Sequence, residues 1–126
     1  FITGWSASET YMARARIADL GYAASKSYGI TYSSSTSMLK RDPDTPRPRG
    51  WIIACVFERL YYGFYSYEAD DIVILRNIYK NNIVYGIDPH DRSRRLVIAE
   101  NEAYGTQKKH GIIVSREVND SWIVNN

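Results

Sequence analysis

The chain has 126 residues, 44% of them hydrophobic and 24% charged, with a formal net charge of +2. That length allows one hydrophobic core and excludes two independent ones, and the composition excludes general disorder. No run of apolar residues reaches membrane-spanning length, the charge is too mild to imply nucleic-acid binding by itself, and a lone Cys55 excludes an internal disulfide or a cysteine metal framework.

In chain order, the sequence begins at Phe1 without a methionine, which fits a secreted chain after removal of a signal segment or a fragment of a longer chain, the former being the expectation. The stretch "WSASETYMARARIADLGY" predicts a helix: Ser6 and Glu9 form a capping box, Ala13, Ile17, Leu20 and Ala24 keep helical spacing, and Gly21 offers a stop. Residues 28–50 then predict a long basic loop, with a serine-threonine run followed by the proline-rich "KRDPDTPRPRG".

Strand-like runs follow in quick succession: "WIIACVFERLYYGFYSY", "DIVILRN", "NIVYGID", "RLVIAEN", "HGIIVSR" and "SWIVN", broken by Gly, Asn, Asp and Pro. Spacing this short leaves no room for crossover helices, so the predicted sheet is mostly antiparallel. The expected architecture is α+β, a single domain over residues 1–126 with one main N-terminal helix on a twisted sheet and no internal repeat. Cys55, inside an apolar strand, reads as a core residue.

Two histidines are present, and His90 sits in "VYGIDPHDRSRR". RNA cleavage would need an acid, a base and a phosphate-binding cation; His90, with Glu58 or Glu68, and Arg92, Arg94 or Arg95, supply those residue types. The plain alternative is a histidine in a turn beside a solvated arginine hairpin. The basic segments around Arg47, Arg49, Arg92, Arg94 and Arg95, with Tyr61 and Tyr62 between them, form a candidate surface for single-stranded RNA or a protein partner. No phosphate loop, nucleophile elbow or zinc spacing is present, so no cofactor and no metal are expected.

The succession of motifs resembles the small guanyl-specific fungal ribonucleases and the ribonuclease-like effectors of powdery-mildew fungi. "SASETYMARARIADLGY" is similar to their N-terminal helix, "YYGFYS" and "EADDIVILRN" to two of their strands, and "YGIDPH" places His90 at their catalytic histidine. On that resemblance the catalytic glutamate falls at Gly63 and the phosphate-binding arginine at Asp71, where a carboxylate would repel phosphate; Thr3 stands in place of a disulfide cysteine.

The resemblance therefore implies a non-catalytic scaffold with His90 as a remnant, Glu58 being the substitute base if activity survives. It implies a monomeric secreted virulence effector, not membrane-bound, that acts inside a host cell on host protein or RNA and is recognised by a plant intracellular immune receptor. Its contact surface would be residues 40–49 and 88–95. A second resemblance, of "YSSSTSMLKR", "WIIACVFE" and "YEADDIVIL" to pertussis- and cholera-type ADP-ribosyltransferase chains, would put Asp71 in place of their catalytic glutamate.

Overall fold

In the computed structural model the described residues are 1–34 and 46–126. They form thirteen short strands and no helix. These are β1 (Ile2–Trp5), β2 (Glu9–Ala13), β3 (Arg16–Ala18), β4 (Gly29–Ser33), β5 (Arg49–Ile53), β6 (Val56–Glu58), β7 (Tyr62–Tyr67), β8 (Asp70–Leu75), β9 (Ile78–Lys80), β10 (Tyr85–His90), β11 (Arg94–Ala99), β12 (Glu102–Tyr104) and β13 (Trp122–Val124).

Each strand pairs in parallel with the strand three places along the chain, except that β11 pairs with β13, giving sheets β1-β4-β7-β10, β2-β5-β8-β11-β13 and β3-β6-β9-β12, here called the first, second and third sheets. A chain that visits three sheets in turn and returns one layer higher is a coil of a right-handed parallel β-helix.

The expected α+β architecture is thereby corrected. Short spacing does rule out crossover helices, but here the other two strands of each coil are the crossover, so parallel pairing needs no helix. The N-terminal helix is replaced by β1, β2 and β3. Met12, Ala15, Ile17 and Leu20 pack against the core, and Glu9 holds Arg49 and Tyr11 instead of closing a capping box. Helical spacing in this stretch is outweighed by five register pairs between β2 and β5 and the burial that they bring.

A repeat is also present. Ile52, Ile74, Ile98 and Ile123 stack in register, 22, 24 and 25 residues apart. Beside them the interior holds Ile30, Phe64 and Ile87 behind the first sheet, and Phe57 stacked on Tyr79 at 4.7 Å behind the third. Each such fully buried side chain contributes about 1.5–3 kcal/mol through area removed from water.

The corner between the second and third sheets recurs in every coil. Arg14, Ala54, Arg76, Glu100 and Asn125 all take left-handed backbone, with φ from 51° to 55°, and the amides of the first four reach the carbonyls of Ile53, Leu75, Ala99 and Val124 in the next coil. One residue further on, Cys55, Asn77, Asn101 and Asn126 form an internal ladder. Asn77 Oδ1 accepts the Cys55 amide at 2.9 Å, and Asn101 Oδ1 accepts both the amide and the side-chain Nδ2 of Asn77 at 3.0 Å. Cys55 is buried as expected, and occupies this ladder, where its sulfur faces the Ala15 amide at 3.5 Å.

Residues 28–50, expected as a loop, include the fully buried β4, and Arg49 and Gly50 open β5; residues 35–45 of that expectation lie outside the described residues. Gly63, which the ribonuclease resemblance set at a catalytic glutamate, is a close-approach glycine: a Cβ there would lie 2.3 Å from the Gly86 carbonyl oxygen.

Candidate active site on the first sheet

Strand alternation sends Ile30, Tyr32, Phe64 and Ile87 inward, so the residues between them share the outer face of the first sheet. Register sets them in two columns along the helix axis. One runs Thr3, Thr31, Tyr65, Asp88; the other runs Trp5, Ser33, Tyr67, His90. The end of β10 thus brings Asp88 beside Tyr65 and His90 beside Tyr67.

His90 is held by its neighbour in sequence: its Nδ1 lies 2.5 Å from Oδ2 of Asp91. The Asp91 carboxylate can only accept, so this bond keeps a proton on Nδ1 and leaves the Nε2 lone pair for a ligand. Arg116 approaches the other Asp91 oxygen at 3.9 Å and keeps 68% of its side chain exposed, so its guanidinium can still meet an anion. Asp88 is almost fully enclosed and accepts from Ser115 Oγ at 3.3 Å. Burial pushes its carboxyl up from the ordinary 3.8 to about 6, against the opposing charge of His90 and the Ser115 hydrogen bond.

Tyrosines pave the rest of the face. Tyr28 stacks on Tyr62 at 4.4 Å, Tyr62 meets Tyr65 and Tyr85 edge-on at 5.9 and 5.0 Å, and the Tyr65 ring lies 5.6 Å from that of His90. Burial pushes the Tyr62 hydroxyl up to about 12 and raises that of Tyr65 further, so both stay protonated and can donate. Such an array offers flat rings for stacking, an imidazole whose Nε2 can accept a proton, and an exposed guanidinium for an anion.

The residues singled out in the sequence divide three ways. His90, Tyr61 and Tyr62 belong to this face. Glu58 does not: it lies on β6 in the third sheet, ion-paired with Arg16 at 2.6 Å, Arg59 and Lys80, and the Arg16 hydrogen bond holds its carboxyl below the usual range. Glu68 is occupied by Arg92 at 2.6 Å. Arg47, Arg94 and Arg95 converge on the buried Asp70, Arg95 also clasps Asp71, and Arg49 is bound to Glu9. Arg47, Arg49 and Arg94 line a cavity of about 310 Å³ with Asp70 and Asp71.

Sequence reasoning missed Tyr65, Arg116 and Lys26, and took Asp88 and Asp91 only as part of a contact stretch, with no role of their own. Two carboxylates flanking Pro-His in "DPHD" were the available signal. Among the described residues no group of three or more His, Cys, Asp or Glu is arranged to hold a metal ion.

No protein-family model matches the chain. Over all 126 residues it is 60% identical to the mannuronan C5-epimerase AlgG of Azotobacter vinelandii and 56% identical to the mannuronan C5-epimerase of Pseudomonas putida, covering 24% of each. The chain thus spans about a quarter of the length of these curated relatives. The crystal structure of the periplasmic alginate epimerase AlgG superposes with a TM-score of 0.87 at 52% identity, over 93% of this chain and 28% of that one; a mutant form gives 0.90 at 50% identity, over 96% and 29%.

These similarities overturn the fungal effector reading. The chain resembles bacterial enzymes, not a ribonuclease-like scaffold or an ADP-ribosyltransferase, and the expectation of a non-enzyme goes with it. So do the host-protein, immune-receptor and RNA partners and the site of action inside a host cell, since the structural relative is a periplasmic epimerase of a polymer. The ribonuclease motifs matched only loosely, and these coils place strand, turn and histidine in a similar order.

Proposed function

We propose that this chain supplies catalytic coils of a bacterial mannuronan C5-epimerase acting in the periplasm, with the outer face of the first sheet as its active surface. The observation that carries this reading is the His90–Asp91 pair on a tyrosine-lined sheet face, within a stretch 50–60% identical to such epimerases.

The chemistry follows from the substrate class. In a uronate, the C5 hydrogen lies next to a carboxylate, whose negative charge opposes its removal. Arg116, exposed beside Asp91, neutralises that carboxylate. His90 Nε2 takes the C5 proton, and the electron pair left behind moves into the carboxylate as an enediolate. The Asp91 carboxylate stabilises the resulting imidazolium. A tyrosine hydroxyl then returns a proton to the opposite face of C5, inverting it; Tyr65 is the one whose ring lies nearest His90. Bulk water re-protonates the tyrosine and takes the proton from His90. The polymer follows the two residue columns along the helix axis, where coils rise by about 4.8 Å, close to the length of one sugar unit.

The test is C5 exchange. In deuterated water the full protein should place deuterium at C5 of polymannuronate and invert those units, read by proton NMR, and His90→Ala should abolish both. Intact exchange in His90→Ala, or none in the unaltered protein, would overturn the reading; unsaturated chain ends would identify β-elimination instead.

A further inference from the structure

Lys26 is a cation on the same face that this chemistry leaves unused. It sits in the turn between β3 and β4, in left-handed backbone with φ 61°, in a loop closed by the Tyr22 amide on the Ser27 carbonyl. Its Nζ lies 4.0 Å from the ring centre of Tyr67 and 5.1 Å from that of Trp5. Both rings belong to the column that ends at His90.

No carboxylate among the described residues forms an ion pair with Lys26. The two nearest in charge, Glu68 and Asp91, are engaged by Arg92 and by His90. An ammonium resting on aromatic rings keeps its charge available while its stem is held in place. Partial burial lowers the Lys26 pKa, which marks an incompletely solvated charge that an incoming anion would restore.

Tyr67 and His90 are direct register partners on adjacent strands, so Lys26 stands one coil away from the base. One coil is about one sugar unit. We propose that Lys26 binds the carboxylate of the uronate next to the unit whose C5 is inverted, making the charge of that neighbour a requirement for productive binding. This rests on the epimerase reading above and adds a specificity residue to it. Lys26 touches the polymer but not the reacting atoms, and its contribution is to affinity and register.

The experiment compares the full protein with Lys26→Gln and Lys26→Arg on polymannuronate and on polymannuronate with a fraction of its carboxyls reduced to alcohols. Deuterium entry at C5 gives kcat and KM, and affinity is measured separately by titration of His90→Ala backgrounds. Lys26→Gln should raise KM about three- to tenfold with kcat nearly unchanged and flatten the salt dependence of binding; Lys26→Arg should keep both. On the reduced polymer, unaltered protein and Lys26→Gln should converge.

Equal KM and salt slope in Lys26→Gln would overturn the assignment, as would a fall in kcat at unchanged KM, which would put Lys26 on the reacting unit. If the unaltered protein shows no C5 exchange, the epimerase reading fails, and the titrations still decide whether Lys26 binds polyuronate. Circular dichroism and melting of each variant separate misfolding from lost binding.

Discussion

His90 Nδ1 lies 2.5 Å from Asp91 Oδ2, so that Asp91 fixes both the orientation and the tautomer of the histidine before it. Replacing Asp91 by Asn keeps an acceptor for the Nδ1 proton but removes the charge that stabilises the imidazolium formed when His90 takes a proton. Asp91→Asn should therefore lower kcat for C5 exchange by about a hundredfold, with KM changed much less. A rate within threefold of the unaltered protein would show that the carboxylate only positions the ring.

Glu58 gives the opposite expectation. Its carboxylate faces Arg16, Arg59 and Lys80 on the third sheet, while His90 is on the first. Glu58→Gln should leave C5 exchange unchanged within about twofold. A loss as large as that of His90→Ala would require a role in the chemistry that this location does not provide.

Asp88 predicts a pH dependence of stability. Its folded carboxyl titrates near 6 and the unfolded one near 3.8, so the folded chain binds the proton more tightly. Between those values the folded state holds more protons than the unfolded state, and stability falls as pH rises through the window and levels off above it. The full effect of this one group is of the order of 3 kcal/mol. Asp88→Asn, neutral at every pH, should remove that decline, and the difference between the two stability profiles from pH 4 to 7 isolates it from other carboxylates. Parallel profiles would mean that Asp88 is not buried in its charged state.

Most strands after residue 50 were legible, because β-branched and aromatic runs broken by Gly, Asn and Asp read as strands where they pair; the run "HGIIVSR" holds only the isolated Ile112 bridge, and the three-residue β9 and β12 were not read. The motif around His90 was legible too, as a histidine among charges. The fold was not. The corner residues that define a coil, such as Arg14, Ala54, Arg76 and Glu100, share a backbone conformation and no side-chain chemistry, so the repeat leaves a trace only in its interior, in the isoleucine stack and the asparagine ladder. Tyr65 and Lys26 join His90 only through register between coils 22 to 25 residues long, a distance at which local patterns carry no signal.

The asparagine ladder allows the inside and outside of one corner to be compared. Asn101 is 2% exposed and bonds the Asn77 amide and Nδ2, the Ile74 carbonyl and Asn126 Oδ1, so Asn101→Ala strands buried groups of both polarities. The expected loss is about 3 kcal/mol, with faster hydrogen exchange at the Asn77 amide. Arg76, at the same corner, faces solvent and pairs with Glu100 at 2.6 Å while keeping 65% of its side chain exposed. Arg76→Ala should cost less than about 1 kcal/mol. Equal costs would mean that the corner is held by its outer ion pairs; the predicted inequality follows because water can replace Glu100 as a partner for Arg76 but has no access to the Asn77 amide.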